Sequence, residues 1–390
     1  MNILFLLRSI GLGGVEVVSV TLANKFAQEG HTVSIFAREK REKNIKDRLD
    51  RRIHVYEGVG DNGGRENVAL LHNVYIRENI QVVINQWGLP YMPIRLARKA
   101  EQGHRVKIIS FHHNDPCANG KLQIVSDALA SCKNPITKIL LKIKYNLFRI
   151  VTSKSMLYTY RNSDKFMVLS NSYIANLHKF IGVGYEDKQG VLTNPITIDC
   201  SDFKYSFEKK QKEIIYCGRV DYNQKRVYRL IDAWSLIEED FLDWKLTIIG
   251  DGGSRKDVEI QAFKLGLKNI QFEGFQKPHE YYKRASILVL TSEYEGFPLV
   301  LAECMNYGVV PVVYDSFSAV HDIINDEENG LVVPKVDGAF SKETFAERLR
   351  KVMVDDDTRN KMAQSAIETS KEYSLDTNYK QWKKIFESLK

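Results

Sequence analysis

The feature of this chain that most constrains its fold is a repeated alternation of short apolar segments and helical patterns. Residues 2–7 are predicted to form a strand that is apolar from Ile3 onward, and they are followed by a glycine turn and by a helical spacing of apolar residues as far as Phe26. Further apolar segments of strand length lie at residues 32–37, 82–85 and 106–111. A β-α-β order of this kind predicts a parallel sheet with helices on both faces, so we expect an α/β fold.

A second series of the same kind begins after the polar, irregular stretch at residues 196–212. Its strand-like segments lie at residues 214–217, 246–249, 270–273, 287–290, 309–313 and 331–333. We therefore predict two doubly wound, Rossmann-like domains that face each other across a cleft, where a ligand is expected to bind. The predicted first domain spans residues 1–194, the second spans residues 195–373, and residues 374–390 form a C-terminal helix that crosses back to the first domain.

The composition suits a globular protein of a reducing compartment. The 390 residues are enough for two or three domains, and 44% of them are apolar and 27% charged. Residues 1–7 lack a basic start, so they are interpreted as a buried strand and not as a signal peptide. The five cysteines are widely spaced and include no CxxC pair, which argues against a disulfide framework or a zinc site and indicates a cytoplasmic location.

The first glycine-rich turn lies between the first strand and the first helix. Gly13 and Gly14 would let the backbone approach a ligand there, and the N-terminus of the following helix favours an anion. The alternative is a tight turn without a ligand. Gly11 and Gly13 begin the G-x-G-x-x-G pattern of dinucleotide-binding folds, but Glu16 occupies the third glycine position, which disfavours a nicotinamide-dependent dehydrogenase.

A second candidate turn opens the second domain. Gly218, Arg219 and Lys225 follow the apolar segment at residues 214–217 and precede a helical pattern. Two cations at the carboxyl end of a strand could clamp a diphosphate. The alternative is a solvated pair of surface cations.

The strongest local signal is the acidic turn at residues 291–303, directly after another apolar segment. Pro298 suits the first position of a helix, and the free amides of Leu299 and Val300 would then point toward an anion. Glu295 precedes this helix and Glu303 lies within it. Two such carboxylates can accept hydrogen bonds from sugar hydroxyls, whereas the alternative is a solvated acidic loop.

Taken in order, these residues resemble the retaining glycosyltransferases of family four, also described as glycosyl transferases group 1, which have the two-domain GT-B architecture. The resemblance spans nearly the whole chain. Its matching pieces are Gly13-Gly14-Val15-Glu16, Asn194-Pro195, Gly218-Arg219 with Lys225, the Glu-x7-Glu element from Glu295 to Glu303, and Gly308.

The resemblance implies a role for each site residue. Arg219 and Lys225 would hold the donor diphosphate and stabilise charge as the nucleoside diphosphate leaves, and Glu295 would contact the transferred sugar. Glu303 would bind ribose hydroxyls, and Phe275 would lie along the base. The remaining donor-binding residues implied are Gly13, Gly14, Gly218, Gly296, Phe297, Leu299 and Val300. Enzymes of this kind need no catalytic metal, and residues 355–357, the acid triplet of the sequence, are interpreted as a helix start.

The resemblance also places a histidine at the end of a strand in the first domain, near the donor sugar and the acceptor. His113 fits that position better than His112, and a purely structural histidine is the alternative. Asp115 is a candidate base on the acceptor side. For the chemistry we favour front-side attack, in which the leaving phosphate takes the proton of the acceptor, over a glycosyl-enzyme formed through Glu295.

The excess positive charge of the protein is local. Residues 116–163 contain eight Lys or Arg and one acid, a net charge of +7, which equals the net charge of the whole chain. Within this segment, residues 136–151 form a predicted basic amphipathic helix. Because the patch lies in the predicted acceptor domain, we expect a lipid-linked acceptor and docking on the inner, anionic face of the plasma membrane. A solvated helix packed on its own domain is the alternative, and no nucleic-acid-binding motif is present.

The predicted function is retaining transfer of a hexose from a nucleotide diphosphate sugar, by default a UDP-sugar, to a glycan or lipid-linked acceptor in surface polysaccharide synthesis. One alternative is a nucleotide-sugar epimerase on the same two-domain frame, which needs no acceptor. The other is a catalytically inactive scaffold that binds sugar nucleotides, against which the intact Arg219, Lys225, Glu295 and Glu303 argue.

Overall fold

Each half of the chain folds around a parallel β-sheet that helices cover. The computed structural model describes residues 1–41, 45–60 and 64–389. One compact unit comprises Met1–Thr197 together with Leu375–Lys390 and is called the N-terminal unit, and the other comprises Ile198–Ser374 and is called the C-terminal unit. The predicted boundaries lie after residues 194 and 373.

The N-terminal unit contains a seven-stranded sheet across the described residues, in the order β3-β2-β1-β4-β5-β6-β7. Its strands are β1 (Asn2–Leu7), β2 (Thr32–Ala37), β3 (His54–Glu57), β4 (Val82–Asn85), β5 (Lys107–His112), β6 (Lys165–Val168) and β7 (Gln189–Val191). Its helices before the unit boundary are α1 (Gly14–Gln28), α2 (Arg65–Arg77), α3 (Tyr91–Lys99), α4 (Gly120–Ser131), α5 (Pro135–Asn162) and α6 (Ser172–Ile181).

The C-terminal unit contains a six-stranded sheet in the order β10-β9-β8-β11-β12-β13. Its strands are β8 (Glu213–Cys217), β9 (Lys245–Ile249), β10 (Ile270–Gly274), β11 (Ile287–Leu290), β12 (Val310–Tyr314) and β13 (Leu331–Val333). Its helices are α7 (Tyr228–Trp234), α8 (Arg255–Lys264), α9 (His279–Arg284), α10 (Leu299–Asn306), α11 (Val320–Ile323), α12 (Lys342–Val354) and α13 (Asp356–Ser370).

The strand order reverses once in each sheet, between β1 and β4 and between β8 and β11. All of these strands pair in parallel, so their carboxyl ends meet at one edge of each sheet. In doubly wound sheets the loops at the carboxyl side of this reversal diverge and leave a crevice for a ligand. The predicted fold class, two doubly wound α/β domains, is confirmed.

The last helix, α14 (Leu375–Glu387), belongs to the N-terminal unit and packs on α1. The Phe26 ring on α1 lies 5.8, 5.3 and 5.5 Å from the rings of Tyr379, Trp382 and Phe386. These aromatic contacts attach the end of the chain to the unit in which the chain begins.

Helix α5 is longer than predicted and is only partly packed. It runs from Pro135 to Asn162, and its buried side chains, Met156, Thr159 and Tyr160, all lie in its second half. In the first half the predicted apolar face is exposed, whereas Leu141, Tyr145 and Phe148 are half-buried. The predicted apolar face is therefore not the side by which this part of the helix packs on its own unit.

Candidate functional site

Two loops at the strand-order reversal of the C-terminal unit are fastened to each other; we call residues 218–225 and 291–298 together the β8–β11 junction. The Glu293 amide donates to the Gln224 carbonyl oxygen at 2.7 Å. The Gln224 side-chain amide donates to the Tyr294 carbonyl oxygen at 3.2 Å, and the Thr291 hydroxyl donates to the Arg226 carbonyl oxygen at 3.1 Å. These bonds hold the two predicted donor-binding turns in one fixed arrangement.

Lys225 and Glu295 form an ion pair across this junction. The Lys225 Nζ atom lies 2.5 Å from Glu295 Oε1, although the two residues are 70 positions apart in sequence. Their side chains are only 17% and 6% exposed. The structure thus brings together two of the predicted catalytic residues in a poorly solvated place. A charge there is destabilising unless an opposite charge pairs with it.

Arg219 lies on the same loop but is mostly solvated. Its Nε donates to Asp221 Oδ2 at 2.6 Å and its Nη2 to Gln224 Oε1 at 3.0 Å, while its side chain stays 61% exposed. Burial raises the pKa of the Asp221 carboxyl, but hydrogen bonds from the Gln224 amide and Arg219 outweigh it, and the net pKa is lowered. Each predicted cation therefore already has an acidic partner.

The loop after β9, which was not predicted as part of the site, completes this edge. The Gly218 amide donates to the Ile249 carbonyl oxygen at 3.0 Å, and the Val220 amide donates to the Asp251 carbonyl oxygen at 2.9 Å. Gly250 has φ +147°, and a side chain there would overlap the Gly218 carbonyl oxygen, so only glycine fits. The signal was present in the sequence, because Gly250-Asp251-Gly252-Gly253 directly follows an apolar segment.

Helix α10 begins one residue later than predicted. Pro298 is its N-cap residue, and the first helical residues are Leu299 and Val300, both half-buried. Amides at the first positions of a helix have no carbonyl of their own helix to bond, so they remain available to an anion. Phe297 is buried, with its ring 5.2 Å from that of Tyr373, and it fixes the approach of the chain to the helix after Gly296.

Glu303 is buried within α10, near the end of β8. The residue is 5% exposed. Burial, and secondly the negative charge of Glu303, raise the pKa of the Cys217 thiol to about 12. Glu303, the residue expected to bind the ribose, therefore lies beside the strand whose loop carries Arg219 and Lys225. Phe275 follows β10 and is 67% exposed, free to meet a flat ligand face.

The loops after β4 and β5 carry the predicted histidine in the N-terminal unit. His113 Nε2 lies 2.6 Å from Gln86 Oε1, and the Phe111 ring stacks on the imidazole at 6.0 Å. Burial lowers the pKa of His112 to about 4 and that of His113 to about 3, so both rings are neutral at pH 7. Burial also raises the pKa of Asp115, which accepts hydrogen bonds from its neighbours.

The predicted anion site at the start of α1 already holds a carboxyl group of the chain. Gly13 is the N-cap residue and Gly14 the first helical residue. A side chain at Gly13 would overlap the Glu16 carboxyl, which folds back onto the turn. Burial raises the pKa of Glu16. The third glycine position of the dinucleotide pattern is thus filled by an acid whose carboxyl group lies against the glycine turn.

Residues 136–151 of α5 present an exposed apolar surface, which we call the apolar row of α5. Its members are between 52% and 70% exposed. They are Ile136, Ile139, Leu140, Ile143, Leu147, Ile150 and Val151. Lys138, Lys142 and Arg149 lie on the opposite side of the helix by helical spacing. Contiguous exposed apolar surface of this kind marks an interaction site.

Among residues 1–41, 45–60 and 64–389, no group of three or more His, Cys, Asp or Glu side chains is arranged to hold a metal ion. None of the helices in the described part of the chain pairs the length of a membrane span with the hydropathy it requires.

Comparison with known proteins gives consistent matches along the chain. A family model described as Glycosyltransferase Family 4 matches residues 12–199, and one described as Glycosyl transferases group 1 matches residues 198–369. The chain is 25% identical over 353 residues to the amylovoran biosynthesis glycosyltransferase AmsD of Erwinia amylovora, an alignment that covers 84% of this chain and 97% of that protein.

A second relative comes from Campylobacter jejuni and is named GalNAc-α-(1→4)-GalNAc-α-(1→3)-diNAcBac-PP-undecaprenol α-1,4-N-acetyl-D-galactosaminyltransferase. It is 25% identical over 394 residues, covering 100% of this chain and 99% of that protein. Among solved structures, HepE of Anabaena in complex with UDP and glucose superimposes with a TM-score of 0.74 at 16% identity and covers 100% of both chains. The latter likeness is one of fold.

Proposed function

Because this chain belongs to the glycosyltransferases of family 4 and group 1, we propose that it transfers a hexose from a nucleotide diphosphate sugar to a glycan or lipid-linked acceptor, with retention of the anomeric configuration. The predicted family, the GT-B fold and the assignment as a glycosyltransferase are confirmed. Two relatives are named for amylovoran biosynthesis and for an undecaprenol-linked substrate, which supports a role in surface polysaccharide synthesis.

The observation that carries the proposal is the β8–β11 junction. Its loops bring Arg219, the Lys225–Glu295 pair and the first amides of α10 to the strand-order reversal of one sheet. A diphosphate bound there would replace the carboxylate partners of Arg219 and Lys225 with phosphate oxygens, to which a guanidinium and an ammonium donate strong hydrogen bonds. The amides of Leu299 and Val300 would add donors that need no reorganisation.

The two buried acids then divide the sugar and the nucleoside between them. Glu295, once Lys225 turns to phosphate, would accept hydrogen bonds from the transferred hexose. Glu303, buried beside β8, would accept them from the ribose, and Phe275 would lie along the base. We propose uridine as the base, supported by the fold shared with HepE in complex with UDP, and a reaction that needs no metal ion.

For the chemical step we propose front-side attack. The acceptor oxygen forms its bond to the anomeric carbon on the face from which the bond to the diphosphate oxygen breaks. The acceptor proton passes to that leaving oxygen, and the bonding electrons leave with the diphosphate. Arg219, Lys225 and the amides of α10 would stabilise the charge that develops on it. Glu295 acts here as a hydrogen-bond acceptor for the sugar and forms no covalent intermediate.

The experiment is a thermal-shift panel of nucleotide sugars with the full chain, followed by transfer assays with the ligand that binds. A specific donor raises the melting temperature by mass action. The proposal expects a UDP-sugar to stabilise the protein and to be consumed only with an acceptor, also in the presence of EDTA, and the product to keep the anomeric configuration. Conversion of the sugar nucleotide without an acceptor would identify an epimerase. Binding without turnover of any donor would identify a scaffold.

We further propose that the protein docks reversibly on an anionic membrane through α5 and the basic segment 116–163. The apolar row would enter the boundary between headgroups and acyl chains, as amphipathic helices do when they lie in the plane of a membrane. The segment is nearly free of acids, and each cation near an anionic surface contributes about 1 kcal/mol. Such docking would bring the N-terminal unit, in which we expect the acceptor to bind, to a lipid-linked substrate on the inner leaflet.

The test is co-sedimentation with vesicles of phosphatidylcholine alone or mixed with phosphatidylglycerol. We expect binding to the anionic vesicles that falls as salt is added and that Ile143→Asn with Leu147→Asn abolishes. The matched control is Ile260→Asn with Phe263→Asn in the C-terminal unit, whose side chains are 52% and 85% exposed. Equal binding to neutral vesicles at high salt, or an equal loss in the control variant, would contradict the proposal.

A further inference from the structure

The partner of the predicted catalytic histidine is a buried glutamine that the sequence analysis did not consider. Gln86 follows β4 and His113 follows β5, and these strands pair in parallel, with Asn85 opposite Ser110. The Gly88 amide donates to the Phe111 carbonyl oxygen at 2.7 Å, which fixes the two loops against each other. Gln86 is 4% exposed, and its Oε1 atom lies 2.6 Å from His113 Nε2.

This contact favours one tautomer of the ring. With Oε1 facing the ring, Gln86 is hydrogen-bonded to His113 only when Nε2 carries the proton, because an amide oxygen can only accept. Since the ring is neutral, Nδ1 then keeps a free electron pair and is an acceptor. Nδ1 is shielded from solvent and has no hydrogen-bond partner among the described residues. A buried polar atom without a partner is uncommon in a folded protein and calls for an explanation.

We infer that Gln86 is a positioning residue that holds His113 in its Nε2-protonated tautomer, so that Nδ1 accepts a hydrogen bond from a hydroxyl group of a bound sugar. The identity of the ligand as a sugar rests on the proposed function, whereas the tautomer does not. The opposite tautomer would present an N–H to the same hydroxyl and would leave the Gln86 oxygen without a donor.

The chain contains a matched pair outside the site. His178 Nε2 lies 2.7 Å from Gln189 Oε1, in the same unit. The Gln189 amide nitrogen donates to the Tyr160 hydroxyl at 2.7 Å and to the Gly184 carbonyl oxygen at 2.8 Å, so the orientation of this amide is fixed. His178 therefore serves as an internal reference for the Nε2-protonated tautomer, and Gln189→Met serves as a control for loss of a buried glutamine.

The first experiment is a long-range ¹H–¹⁵N correlation spectrum of the full chain labelled at histidine. We expect His113 to show an unprotonated Nδ1 and a protonated Nε2, like His178. In Gln86→Met only the weaker intrinsic preference of the imidazole for the Nε2-protonated form remains, so a fraction of Nδ1-protonated ring should appear. Gln86→Glu should remove that fraction, because a carboxylate also only accepts. A protonated Nδ1 in the wild type, or an unchanged His113 pattern in Gln86→Met, would overturn the inference without bearing on the proposed function.

The second experiment separates ligand contact from a structural role. Addition of the nucleotide sugar found in the panel, or of an acceptor sugar, should shift the His113 Nδ1 resonance, whereas UDP alone should not. Gln86→Met should lower kcat about tenfold, the loss expected for one hydrogen bond, with UDP affinity unchanged. Gln86→Glu should recover most of it, and Gln189→Met should retain wild-type kcat. A Nδ1 resonance that neither sugar moves, or an equal loss of kcat in both methionine variants, would overturn the role in sugar binding.

Discussion

The loops after β8 and β11 flank the strand-order reversal of one sheet, and the loops after β4 and β5 lie at the carboxyl edge of the other, where β4 borders the reversal. Their electrostatics are opposite. The first pair carries ions: Lys225 with Glu295 and Arg219 with Asp221. The second pair carries neutral polar groups, His112, His113 and Gln86, and burial keeps the pKa of both imidazoles far below 7.

The difference teaches what the topology decides and what it leaves to the side chains. A strand-order reversal creates a crevice in each sheet, but the residues after the strands select the chemistry. Paired ions can be transferred to phosphate oxygens at small cost, because each cation exchanges one oxygen partner for another. Neutral, buried hydrogen-bond acceptors suit hydroxyl groups, because a hydroxyl group is uncharged and needs no counter-charge from the protein. Under the proposed function, the charged edge would therefore hold the diphosphate and the neutral edge would meet sugar hydroxyls.

The largest expected effect is on stability at the charged edge. Lys225→Ala leaves the Glu295 carboxylate, 6% exposed, without its ammonium partner, so we expect a loss of about 3–5 kcal/mol in the free energy of unfolding. Urea unfolding measures it. Arg219→Ala, at a side chain 61% exposed, should lose less than about 1 kcal/mol, and Lys225→Met with Glu295→Leu should recover much of the loss. Equal losses in the two alanine variants would show that the Lys225–Glu295 pair is solvated.

The next effect is on turnover and again concerns the charged edge. Arg219→Ala should lower kcat by about 10²–10³-fold, because it removes a donor from the leaving diphosphate while the fold is retained. The control is Arg350→Ala, an exposed arginine of the same unit that pairs with Asp240 at 2.6 Å. A transfer assay that finds wild-type kcat in Arg219→Ala would show that Arg219 does not stabilise the leaving diphosphate.

Much of the fold could be predicted from the sequence, because buried strands are continuous apolar runs. β11 and β13 begin and end at the predicted residues. β3 was missed because a four-residue edge strand with His54 and Glu57 at its ends carries no apolar run. The periodicity of α5 was predicted, but helical spacing states which side chains share a face and not what covers that face.

The sequence predicted the residues within each loop of the site but not the contacts between loops that are distant in sequence. The turns that carry Arg219, Lys225 and Glu295 follow strands and could be found, although their mutual pairing required the strand order β8-β11. Gln86 could not be found, because its relation to His113 exists only once β4 and β5 lie side by side. The glycines after β9 were overlooked because glycine is required there by the close approach of a neighbouring loop, which the sequence does not show.

The buried, neutral histidine His112 at the neutral edge should make the stability of the protein depend on pH. The unfolded state takes up a proton at His112 near pH 6.5, but burial delays this in the folded state to about pH 4. Stability is therefore complete above pH 6.5 and falls as the pH decreases toward 4, by about 3 kcal/mol for this residue. Urea unfolding of His112→Phe should show a shallower acid limb. A wild-type slope in His112→Phe would mean that the ring is solvated.

The smallest expected effect sharpens the comparison within the charged edge itself. If Glu303 accepts hydrogen bonds from both ribose hydroxyls, Glu303→Gln replaces a carboxylate by an amide that can still accept one of them. The affinity for UDP should then fall about tenfold, because a hydrogen bond to a charged group contributes about 1.5–3 kcal/mol and only part of it is lost. Isothermal titration calorimetry with UDP measures this without an acceptor. Glu295→Gln should not weaken UDP binding, because UDP carries no hexose and the neutral amide releases Lys225 to the phosphates, and it should instead weaken binding of the complete donor. If the two variants lost UDP affinity equally, the proposed division of sugar and ribose between these acids would be wrong.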